Sequence, residues 1–180
     1  VVTRPSDERL REVYDLVAAR IEQRWDIPVI ITDVKAPFTG DLDGAEIKVD
    51  HENDVENALF IAIHLFGHTV QWHVSARSRE IGLSGRSDWS EAELLEIADY
   101  ERTACAYSLQ LLHECGVHDL DQWVSDFAHC DAEFLMHFYR TGEKVEFRTF
   151  WRDGAPLVAA LPVPPFTPAK LLSRWDGIVL

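Results

Sequence analysis

The sequence predicts a helix-dominated α+β fold, in one domain spanning residues 1–180. Two observations carry that prediction. Apolar residues recur at three- and four-residue spacing in four long segments, the mark of helices with a buried face. Between the first and second of these lie two short β-branched stretches, VIITDV and AEIKVD, which suit a small sheet. A chain of 180 residues can bury a sizeable core, and 47% hydrophobic with 11% aromatic residues is the composition of an ordered domain.

The elements follow in order. Ser6 caps a first helix with Asp7 and Glu8 in its positive first turn, and Leu10, Val13, Val17 and Ile21 mark its buried side as far as Trp25. Val29 to Val34 reads as a buried strand. Lys35 to Gly44, with a proline, two glycines and two aspartates, reads as a loop. Ala45, Ile47 and Val49 alternate with charged residues, as in a strand with one wet face. Asn53 and Glu56 have the spacing of a capping box for a helix over 54–74, which is apolar almost all round and therefore belongs in the core. Residues 75–87 are polar and glycine-bearing, as in a loop. A long helical pattern runs from Asp88 to Cys115 and is closed by Gly116. Residues 116–145 add a further helix from Asp119 to Arg140. Residues 146–180 hold an aromatic stretch, VEFRTFW, and a proline-rich tail predicted to lie extended along the surface.

The net charge of −14 argues against nucleic acid or an anionic membrane as partner, since phosphates attract Lys and Arg. It leaves a small molecule or a protein, a basic one included. The longest wholly apolar run, Ala58 to Ile63, is far too short to span a bilayer, and VVTRPSDERL has no signal-peptide core. Cys105, Cys115 and Cys130 are odd in number and form no CxxC pair, which predicts a reduced, cytoplasmic chain.

The chemistry is concentrated in ALFIAIHLFGHTVQW, residues 58–72. His64 and His68 share one helix face a turn apart, so both imidazoles can aim at one divalent metal ion such as Zn2+. Gln71 continues that face as a partner for a ligand. Gly67 disfavours a helix by ~1 kcal/mol against Ala, and such a glycine points to something that approaches the backbone closely. On the following long helix Glu96, Asp99 and Glu101 are candidate third ligands. Glu101 is in register with Ala104 and Ser108 on the inward side, and Asp99 is the fallback. His129, Glu133 and His137 form a stripe on the last helix with Asp126 beside it. Tyr107 and His129 are candidate acid–base groups. Cys105, near Glu101, reads as a small buried thiol, and His113 suits the negative end of a helix dipole.

HLFGH (64–68) and YERTACAYSLQLL (100–112), in the succession helix, strand, strand, HxxxH helix and glutamate-bearing helix, resemble the zincin metallopeptidases of the ImmA/IrrE type over residues 6–115. The resemblance implies a zincin-like fold with His64, His68 and Glu101 as metal ligands. It does not extend to peptidase activity. Leu65 stands where that family carries the glutamate that takes a proton from the attacking water, and leucine accepts none. Leu65 is predicted to project toward the open side of the metal. Three readings follow: a metal-binding protein that is not an efficient peptidase, a metalloenzyme of another reaction type, or a metal-free helical interaction domain.

Overall fold

A computed structural model describes residues 4–171 and 177–178. The Ser6 side chain accepts from the Arg9 backbone N–H, and α1 runs from Asp7 to Trp25 with Leu10, Val13, Val17 and Ile21 buried, as their spacing requires. Three strands follow: β1 Val29–Thr32, β2 Gly40–Leu42 and β3 Ile47–Asp50. With β4, Gly177–Ile178, they form a mixed sheet in the order β1-β3-β2-β4. β1 is parallel to β3, and β2 is antiparallel to both β3 and β4. The architecture is therefore helix-dominated α+β.

Two expectations about the sheet need correction. The VIIT run is not buried: β1 is an edge strand, and Ile31 is 58% exposed. The stretch from Lys35 to Gly44 is not all loop, because β2 lies inside it. That strand was hidden by Gly40, where a Cβ would stand 2.5 Å from Ile61 Cγ2, 2.9 Å from Leu65 Cδ1 and 3.2 Å from the Lys48 carbonyl oxygen.

α2 spans Val55–Val74 and is buried almost all round. Phe60, Ile63 and Phe66 lose all their exposure, which stabilises by roughly 1.5–3 kcal/mol for each side chain. Its cap is Asp54, which accepts from the Asn57 backbone N–H, and not the Asn53–Glu56 pair. Asn53 instead donates to the Thr39 and Asp50 carbonyls, while Glu56 accepts from Trp123 Nε1, Arg4 and Arg148. The segment predicted as a polar loop contains α3, Ala76–Leu83. Its sequence has too few apolar residues to show a period. It is held by contacts from outside itself: Ser75 caps it, Arg77 pairs with Glu96, and Gly82 lies against Trp72 and Tyr100.

α4 spans Glu91–Glu114 and opens on a complete capping box between Ser90 and Glu93, three residues after the predicted start. α5 spans Asp121–Thr141, and Gly142 ends it in the left-handed conformation, which a residue without a Cβ adopts freely. A 3₁₀ turn, Phe147–Phe150, follows. Residues 151–171 carry no helix or strand and are for the most part exposed or half-buried. Leu161 N–H donates to the Ala106 carbonyl and Leu171 N–H to that of Asp43. The remainder of the predicted tail, 172–176 and 179–180, lies outside the described residues. Among the described residues no helix is long and apolar enough to cross a membrane.

Candidate metal centre

The centre is made where α2 and α4 meet. Gly67 lets the two backbones touch, because a Cβ there would stand 2.7 Å from the Ala104 carbonyl carbon. That contact brings Glu101, one turn before Ala104, opposite the two histidines. Ser108 secures the same contact, donating from Oγ to the Ile63 carbonyl at 2.8 Å.

Three atoms converge. His64 Nε2 and His68 Nε2 are 3.0 Å apart, and Glu101 Oε2 is 3.0 Å from the first and 3.1 Å from the second. The histidines are 1% exposed and the Glu101 side chain 13%. The rings are fixed by stacking, His64 on Phe60 and His68 on Tyr100.

The tautomer of His68 follows from its neighbours. Gln71 Nε2–H donates to the Tyr100 carbonyl at 2.8 Å, which turns its Oε1 toward His68 Nδ1 at 2.9 Å. An amide oxygen only accepts, so Nδ1 carries the hydrogen, and a neutral ring then presents a lone pair at Nε2. Burial pushes the Glu101 carboxyl up, and only positive charge or N–H donors beside it pull it down; with the His68 hydrogen on Nδ1, His68 Nε2 is no donor, and Glu101 Oε2 stands beside it as an acceptor. With His64 also presenting its Nε2 lone pair, three acceptors converge within 3.1 Å in a buried place, and such a set calls for a cation. Ligands of one tetrahedral ion at ~2.0–2.1 Å stand about 3.3 Å apart, so His64, His68 and Glu101 could hold a divalent metal. Gln71, as its place on the helix face suggests, orients His68 from behind.

The other predicted groups are elsewhere. Asp99 is exposed and pairs with Arg102, so the fallback ligand is ruled out. Cys105 Sγ meets His64 at Nδ1, 3.4 Å away and on the side of the ring opposite the cluster; burial raises its pKa far above normal, so it stays a thiol. Tyr107 lines a separate cavity beside α3, and His129 lines neither. Neither candidate acid–base group reaches the centre. Glu133 is exposed, and His137 packs on Phe150, so the His129–Glu133–His137 stripe faces away from it. Glu96 is engaged by Arg77. Leu65 does not project toward the open side. It is 1% exposed, lies over Gly40 of β2 and lines no part of the cavity next to the centre.

That cavity has a volume of about 430 Å³ and includes His64, His68 and Glu101 in its lining. Trp89, Ile97, Phe134, Leu135 and Phe138 give it apolar walls, and Lys144 adds a cation. Trp89 Nε1–H is buried and has no hydrogen-bond partner among the described residues.

The sequence reading missed Asp131, which also lines this cavity. Its side chain is 1% exposed, and its Oδ2 is 3.8 Å from His64 Nε2. Burial pushes its pKa above the carboxylate range; His64 acts against this and Glu101 adds to it. A signal was present: Phe127, Asp131, Phe134 and Phe138 fall on one helix stripe, and a carboxylate on an apolar stripe demands a partner. No protein-family model, curated protein or solved structure matches this chain.

Proposed function

We propose that the chain is a divalent-metal-binding protein of zincin-like build, related to the ImmA/IrrE type, that holds zinc through His64, His68 and Glu101 and is not an efficient peptidase. The observation that carries the reading is the triangle of Nε2, Nε2 and Oε2 atoms, 3.0–3.1 Å on each side and nearly closed to water. Two nitrogens and one oxygen are a common zinc donor set. When bound, such an ion supplies a Lewis acid that polarises a carbonyl or phosphoryl oxygen. The chain's own residues supply orientation: Gln71 fixes His68, and Phe60 and Tyr100 fix the two rings.

The absence of efficient proteolysis is argued from Leu65 and its surroundings. The residue after His64 is buried against the sheet, and Tyr107 and His129 do not line the cavity. The occupant favoured by the cavity is a small molecule with an apolar body and a hydrogen-bond acceptor. Aromatic walls suit the first, and the unpaired indole N–H of Trp89 and the ammonium of Lys144 suit the second. Three free thiols suit a reducing compartment, so we place the protein in the cytoplasm.

Elemental analysis of untagged, full-length protein tests the reading. About one equivalent of zinc is expected. Less than about a tenth of an equivalent of any metal overturns it in favour of a metal-free interaction domain, since sites of this kind hold zinc tightly. Metal-dependent proteolysis that His64→Ala abolishes would overturn the non-peptidase part alone.

A further inference from the structure

Asp131 is a buried carboxylate without a counter-charge. Among the described residues its Oδ1 has no hydrogen-bond partner, and the group that faces its Oδ2 within ion-pair distance is His64. Glu101, on the neighbouring helix, is a second negative group near it. Packing holds Asp131 in this position. One turn earlier Phe127 stacks on Phe60 with ring centroids 4.4 Å apart, and Cys130 Sγ donates to the Phe147 carbonyl. A carboxylate fixed in such a place is strongly disfavoured unless a cation meets it.

We propose that Asp131 is a fourth protein ligand of the same ion, completing a centre of two imidazoles and two carboxylates. The inference rests on the reading of His64, His68 and Glu101 as ligands. Charge supports it: a divalent ion with two carboxylates and two neutral imidazoles is an electrically neutral unit, which a buried site favours. On the His64 side the distance is close: ligand atoms on one tetrahedral ion stand about 3.3 Å apart, and Asp131 Oδ2 is 3.8 Å from His64 Nε2. The Asp131 carboxylate is not within 4.8 Å of all three other ligand atoms, so its side chain turns toward the ion to complete the set.

The consequence is a change in the kind of site. Four protein ligands on zinc make a closed, structural centre, whereas catalytic zinc keeps a position open. The ion then ties α2, α4 and α5 together along one wall of the cavity. The protein becomes a metal-clamped binding module, with its specificity in the apolar walls.

The test uses full-length protein stripped of metal, in wild-type, Asp131→Asn and Asp131→Ala forms, with exposed Glu133→Gln on the same helix as control. Zinc affinity is measured by competition with a chromophoric chelator, and the ligand set is read from the visible spectrum after loading with Co2+. Both Asp131 variants are expected to bind zinc at least tenfold more weakly, since losing even an outer partner of a ligand weakens binding by roughly 10–100-fold. Their cobalt spectra should differ from wild type, and Glu133→Gln should match wild type in both measurements. Unchanged affinity overturns the proposal. So does weaker binding with an unchanged cobalt spectrum, which would make Asp131 a positioning residue acting through His64. Should neither variant fold, the zinc-loaded wild type still decides. An Asp131 oxygen at ~2.0–2.2 Å from the ion in a crystal structure supports the proposal, and one beyond about 3 Å overturns it. Failure of the wild type to bind any metal would instead remove the reading beneath.

Discussion

Gly67 of α2 and Ala104 of α4 are in backbone contact, with no side chain between them. This contact sets the spacing of the centre, because Glu101 precedes Ala104 by one turn and His64 and His68 lie on either side of Gly67. Gly67→Ala therefore has two opposed effects. Alanine favours the helix by ~1 kcal/mol. Its methyl group would also overlap a carbonyl that cannot rotate away, and overpacking of this kind costs typically ~1–3 kcal/mol. Urea unfolding should show a net loss of stability. Zinc titration should show weaker binding, because Glu101 is pushed off the histidines.

Zinc should raise the melting temperature of the wild type, because only the folded chain presents the three ligands together. At a free concentration 1,000 times Kd the stabilisation is ~4 kcal/mol. His64→Ala and His68→Ala should lose the zinc-induced shift in calorimetry. Glu101→Gln should reduce it while leaving the metal-free melt near that of wild type. Asp99→Asn should keep it in full, since Asp99 is exposed and faces Arg102.

Leu65→Glu should not create a peptidase. The side chain packs over Gly40 and does not line the cavity. A glutamate there would bury an uncompensated charge, for which the loss is roughly 3–5 kcal/mol. Denaturant unfolding should register that loss, and a casein assay of the zinc-loaded variant should stay at background. Metal-dependent hydrolysis gained by this variant would contradict the placement.

Acid should weaken the joint between α4 and α1. Burial raises the pKa of Glu114, but Arg24, Gln110 and Arg20 outweigh it, so the folded carboxyl sits below its ordinary value. A depressed carboxyl contributes stability above the unfolded pKa of ~4.3 and loses it as pH falls through the folded value. Glu114→Gln should melt below wild type at pH 7, and the gap should narrow as pH drops below about 4. A gap that is constant with pH would count against the ion pairs.

The long helices were legible because each carries its own signal: a period, a cap or a terminal glycine, as at Ser6, Gly116 and Gly142. The HxxxH pair was legible for the same reason, since its geometry is set within one helix. Glu101 was readable only through its register with Ala104 and Ser108. β2 and α3 were not legible, because neighbours impose them: a three-residue strand around Gly40 is paired by β3, and α3 is held by Ser75, Glu96 and Trp72. The direction of Leu65 failed for a related reason. A helical wheel gives its angle, but whether cavity or sheet lies at that angle is decided by residues far away in sequence.

The course of residues 155–171 bears on how the protein is made. Val158 N–H donates to Ser125 Oγ of α5, Leu161 N–H to the Ala106 carbonyl of α4, and Ala169 N–H to His73 Nε2 of α2. Phe166 stacks on Trp25 of α1. Elements separated early in the chain are thus joined by a segment synthesised after all of them. During translation, α1, α2 and the first three strands must wait on the ribosome for a strap that has not yet left the exit tunnel. Their apolar faces stay accessible to chaperones in that interval, as expected where late residues close early ones.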